Sequence, residues 1–147
     1  MRTSALLLVL LLSACARVPI TGRNQLNLLP ESEMMAMSFS EYGQFLQQNT
    51  PLAVTDTRVA MVRRIGERLS KAATEYLNAH KAGDRIAGFA WEFNVVQSDE
   101  VNAWCMPGGK VVVYTGILPL TQDEASLAVV MGHEISHAPS PATGTNA

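Results

Sequence analysis

Two histidines and a glutamate carry the chemistry most directly legible in this chain, because His133-Glu134-Ile135-Ser136-His137 is a complete H-E-x-x-H sequence. Four residues along an α-helix advance about 6 Å and overshoot one turn by about 40°, so His133 and His137 leave one helix face and can hold one ion. Glu134 then stands beside that ion. In peptidases that use this arrangement zinc acts as a Lewis acid and brings a water to a pKa of about 7, while the glutamate takes the water's proton as general base. The plain alternative is a glutamate between two histidines on a solvated helix face.

The elements around the motif have to supply that helix. Thr121-Gln122-Asp123-Glu124 has a capping-box pattern, with Thr121 set to accept from the first-turn amides and Glu124 to reach back. Leu127, Val130, Met131 and Ile135 follow at helical spacing. A motif helix is therefore predicted from about Gln122 to His137. Upstream, Met35, Phe39, Tyr42 and Leu46 predict a first helix over Glu31 to Gln48, closed before Pro51. A second is predicted from about Asp56 to Ala82, with Val62, Ile65, Leu69, Ala73 and Tyr76 inward and Gly83 as its stop. Its Arg64, Arg68 and Lys71 form a basic stripe that reads as a solvated face and only weakly suggests anionic lipid.

After Gly88 the pattern becomes strand-like. Phe89 to Val96, Val101 to Met106 and Lys110 to Tyr114 are rich in β-favouring residues, and Pro107-Gly108-Gly109 suits the turn between the last two. The predicted class is α+β: two long helices, a small β-sheet from about Trp91 to Tyr114, and the H-E-x-x-H helix. The 147 residues suit one domain, with an apolar share of 48% to supply its core. With a net charge of −2 and no basic cluster interleaved with aromatics, a nucleic-acid surface is excluded.

Residues 1–14 read as a signal peptide: Arg2 supplies the positive region, and Ala5 to Leu12 an apolar run too short to span a bilayer. The run ends in Leu12-Ser13-Ala14-Cys15, which resembles the bacterial lipoprotein box and makes Cys15 the lipidation site. A plain secretory cleavage site is the alternative. Residues 15–30 are expected to be a loop-like tether, punctuated by Pro19, Gly22 and Pro30. With Cys15 lipidated, Cys105 has no disulfide partner and reads as a small core residue.

Three stretches carry a family resemblance. Val18 to Leu28 is similar to a P-x-T-G-R-x-Q-L segment; Asn102-Ala103-Trp104 through Pro107-Gly108-Gly109 and Tyr114 to Leu118 resemble an N-A-x-x-x-P-G-G and T-G-[LI]-L hairpin; Glu124 to Ala138 resembles an E-x-x-L-A and G-H-E-[IL]-x-H-A helix. Together they resemble the HtpX and CAAX-prenyl-protease-like family of gluzincin zinc metallopeptidases, in its periplasmic lipoprotein branch. The resemblance implies a zincin-like fold over residues 31–138 and one Zn2+ held by His133 and His137, with Glu134 catalytic. It also implies a sheet edge at Asn102, Ala103 and Trp104 that holds extended substrate by backbone pairing. The expected substrates are misfolded or misassembled envelope proteins. The expected location is the periplasmic face of the cell envelope, lipid-anchored, with Ala16 after the lipidated cysteine pointing to the outer membrane.

The chain departs from the pattern at its end. The family's third ligand is a Glu on a downstream helix, whereas residues 138–147 hold no Asp, Glu, His or Cys, and Pro139 and Pro141 oppose a continuing helix. Ser140 and Thr143 stand where a metzincin would need Gly and His. Residues 139–147 therefore read as a tail outside the family, the peptidase domain as C-terminally incomplete, and Glu100 as a poorer substitute ligand. The alternative function is a non-catalytic envelope lipoprotein that binds or chaperones partner proteins.

Overall fold

Proline and aspartate set where the two long helices begin. In a computed structural model of the chain, which describes residues 15–17, 24–26 and 30–138, α1 spans Glu31–Gln48 directly after Pro30, whose φ is −57°. Its bounds are those predicted. Asn49 closes it, its side-chain amide donating to Phe45 O at 3.0 Å. Helix α2 spans Thr57–Ala79, and its cap Asp56 accepts from Arg58 N at 2.9 Å. It stops short of the predicted Ala82: the chain turns through Lys81, at φ 54°, into a 3-10 turn over Gly83–Ile86.

The inward stripe of α2 also differs from the prediction at one position. Val62 and Ile65 are buried, but Leu77 rather than Tyr76 completes the stripe, and Tyr76 is 51% exposed. Steps of four from Leu69 through Ala73 lead to Leu77, which leaves Tyr76 outside to pack on His80 at 4.1 Å between ring centroids.

Strands β1 (Cys15–Arg17) and β2 (Asn24–Leu26) pair antiparallel, where a loop-like tether was predicted; Pro19 and Gly22 fall between them. The main sheet holds β3 (Glu92–Val96), β4 (Ala103–Met106) and β5 (Lys110–Tyr114) in the order β3-β5-β4. Strand β5 runs parallel to β3 and antiparallel to β4, so β4 is an edge. Two of the predicted strands are shorter than expected, starting at Glu92 and Ala103. The β4–β5 turn needs two positive φ angles, 86° at Gly108 and 80° at Gly109, which explains the glycine pair.

Period-two alternation gives the sheet two apolar faces. Phe93, Val95, Ala103, Val111 and Val113 join Val59, Val62 and Ile65 of α2 and Leu127, Met131 and Ile135 from the motif segment in the main core. The opposite face, with Val96, Val112, Trp104 and Tyr114, is covered by Tyr42, Phe45 and Leu46 of α1. The result is an α+β sandwich, as predicted, with α1 on one side of the sheet and α2 with the motif helix on the other.

Candidate active site

The motif helix is α4, Glu124–His137, preceded by a one-turn helix α3, Leu118–Thr121. Thr121 is not its cap, contrary to the predicted capping box. Its hydroxyl donates to Leu118 O at 3.1 Å, closing α3, and Gln122 then takes φ 57°, which turns the chain away. Asp123 caps α4 instead, accepting from Ser126 N at 2.7 Å, and that donation holds its carboxyl below the usual range. Glu124 in the first turn pairs with Arg64 of α2. Lys71 pairs with Glu75 at 3.9 Å, so two of the three cations in the predicted basic stripe already have carboxylate partners.

Burial orients α4. Leu127 and Met131 are fully buried and Ile135 is 4% exposed. This fixes the opposite face outward, where His133 and His137 are exposed with ring centroids 4.7 Å apart and planes at 78°. The predicted ligand pair is thus brought together. Glu134, half-buried, lies between the helix's inner and outer faces. Its charge reaches Cys105 of β4, whose thiol is pushed up to about 12, mainly by burial and secondarily by that carboxylate. Helix α4 packs directly on β4, so the general-base candidate sits on the element next to the edge strand.

The edge can be read bond by bond. Tyr114 N donates to Asn102 O at 3.0 Å, so Asn102, and by antiparallel alternation Trp104 and Met106, direct their backbone groups at β5. Ala103 and Cys105 direct theirs outward, and no described strand pairs with that side. Of the predicted substrate residues, Ala103 alone offers its backbone to the edge. Cys105, read as core filler, offers the next pair; residue types alone do not reveal which of two consecutive residues faces outward.

As zinc donors, two imidazoles one helical turn apart fit two protein ligands of a catalytic site. Among the described residues no group of three His, Cys, Asp or Glu converges, so neither Glu100 nor another carboxylate there completes the set. Cys15 lies in β1, and residues 1–14, 18–23, 27–29 and 139–147, which include most of the Val18 to Leu28 segment, lie outside the described part.

Comparison with known proteins agrees with this geometry. The chain is 31% identical over 122 residues to the mitochondrial metalloendopeptidase OMA1 of Homo sapiens, covering 82% of this chain and 22% of that protein. It is 29% identical over 123 residues to the beta-barrel assembly-enhancing protease of Yersinia pestis, covering 79% and 25% respectively. The Arabidopsis thaliana mitochondrial metalloendopeptidase OMA1 is 41% identical over 70 residues, 48% of this chain and 14% of the relative. The chain thus spans a quarter or less of these relatives. The profile of Peptidase family M48 matches residues 57–142, from α2 through the paired histidines, and the chain belongs to that family.

Proposed function

We propose that the chain supplies the metal-binding helix and substrate edge of a zinc-dependent endopeptidase of the bacterial cell envelope, acting on misfolded or misassembled proteins. The observation that carries this is the pairing of His133 and His137 on the outer face of α4, the helix that packs on the edge strand β4. The match to the Yersinia pestis beta-barrel assembly-enhancing protease supports an envelope substrate. The Leu12-Ser13-Ala14-Cys15 box supports a lipid anchor at Cys15.

His133 and His137 would hold the zinc, which when bound would supply Lewis acidity toward a peptide carbonyl and lower the pKa of water. The chain's own residues do the rest. Ala103 and Cys105 hold an extended segment by backbone pairing beside α4. Glu134 takes the proton of the attacking water as the C–O bond forms, and returns it to the amine nitrogen as the tetrahedral adduct collapses and the C–N bond breaks.

The test uses a form of the chain extended by a family-type downstream helix bearing the third-ligand Glu. Cleavage of an unfolded casein-like substrate is expected, abolished by chelator, and Glu134→Gln should retain zinc while losing about 10²–10⁴ in turnover. Undiminished cleavage by Glu134→Gln rejects the mechanism. The free edge also supports a second reading, a lipoprotein that binds unfolded clients without cleaving them; client binding unaffected by chelator selects it.

A further inference from the structure

The edge strand has two side-chain faces, and only one of them meets α4. Ala103 and Cys105 point toward α4 and the main core, whereas Trp104 and Met106 point to the α1 side. An extended segment added beside β4 alternates in the same way, so the residue level with Trp104 places its side chain against the indole. Trp104 is half-buried and firmly held. Phe45 packs edge-on at 4.9 Å, Tyr42 approaches edge-on at 6.3 Å, and the indole nitrogen donates to Tyr114 OH at 3.3 Å. With its one donor satisfied, the ring offers an incoming side chain only apolar surface.

Helix α1 fixes this arrangement. Ser38 Oγ donates to Pro107 O at 2.7 Å, just beyond the end of β4, and the Phe39 ring lies over Gly108. The strand is therefore held from one face by α4 and from the other by α1.

We infer that Trp104 is a specificity-determining residue: it selects extended segments bearing an apolar or aromatic side chain at the position level with it, on the face away from the metal helix. The inference rests on the edge-pairing reading above. Its occupant is an unfolded polypeptide with apolar residues at alternate positions, because the outward N–H and C=O groups of Ala103 and Cys105 require a strand and the clamped indole requires an apolar neighbour.

The test is binding by the full chain, measured as fluorescence anisotropy of two labelled peptides, one alternating Thr and Phe and one alternating Thr and Ser, each with terminal lysines. The Phe peptide should bind on the order of five-fold more tightly, Trp104→Ala should abolish the difference, and Trp104→Phe should retain it. In a Trp91→Phe background Trp104 is the sole tryptophan, and its emission should shift to the blue with the Phe peptide alone. That measurement decides the matter if Trp104→Ala fails to fold. Equal affinities, a preference that survives Trp104→Ala, or an unshifted emission overturns the inference while leaving edge pairing intact. Binding of neither peptide overturns edge pairing itself, and this inference with it.

Discussion

Cys105 shows how one position serves two neighbours. Its backbone faces the open edge, its side chain faces α4, and burial together with the charge of Glu134 pushes the thiol up to about 12. At pH 8 the thiolate fraction is on the order of one in ten thousand. In a Cys15→Ser background, alkylation of the folded protein by iodoacetamide should therefore be at least about 100-fold slower than in urea; equal rates would show that the thiol is open and ordinary. Cys105 was read as a small core residue because no disulfide partner was left for it, and its partly buried side chain does pack on the main core. The juxtaposition of His133 and His137 was legible for a different reason: i and i+4 share a helix face wherever the helix sits. Trp104 was not separable from Asn102 and Ala103, because outward or inward backbone depends on pairing with β5, a relation between distant segments that neither segment states alone.

Among the elements, capping and close approach decide more than periodicity does. Asp56 accepts from Arg58, first through its side chain and then through its backbone, and its carboxyl falls to about 2 from an ordinary 3.8. A depressed folded-state value means that this contribution is present in full above about pH 4 and is lost as pH falls toward 2. Melting temperatures recorded between pH 5 and pH 2 should drop less steeply for Asp56→Asn than for the parent; parallel curves would show that the cap carries no proton linkage. Gly66 illustrates close approach, since a methyl group there would meet the buried ring of Phe93, which is itself stacked on Trp91 at 6.2 Å. Alanine would gain up to about 1 kcal/mol of helix propensity. Overpacking costs about 1–3 kcal/mol, and a ring held on both sides cannot yield. Gly66→Ala should thus lower stability by about 1–2 kcal/mol in urea titration, and a stabilised variant would mean that Phe93 moves freely. The bounds of α1 were readable from Pro30 and Pro51, which act locally. The start of α4 was misread at Thr121 because the positive φ of Gln122 lets a one-turn helix intervene, and glutamine carries no signal for it.

At the scale of the molecule, the described residues bring together two imidazoles, a general-base candidate and a strand edge. The anchor is tested separately: growth with a labelled fatty acid should mark the protein through Cys15, and equal labelling of Cys15→Ser would dismiss the lipoprotein reading. The metal depends on how much of the site one polypeptide holds. The proposed site counts two ligands, His133 and His137; His137 is the last residue of α4, and among the described residues no third group joins them. Metal binding is linked to the folding of the element that carries the ligands, so a two-histidine site at a helix terminus holds zinc weakly and gains little order from it. The matched relatives extend well beyond the segment they share with this chain. Fusing the chain to the part of the Yersinia pestis protease that follows its matched segment should therefore raise zinc retention after dialysis from well below stoichiometric to nearly stoichiometric. Chelator-sensitive cleavage of unfolded casein should appear at the same time. Tight zinc and cleavage by the unfused chain would mean that a third ligand lies within its own residues, and the comparison of His133→Ala with His137→Ala in that chain would show which imidazole it joins.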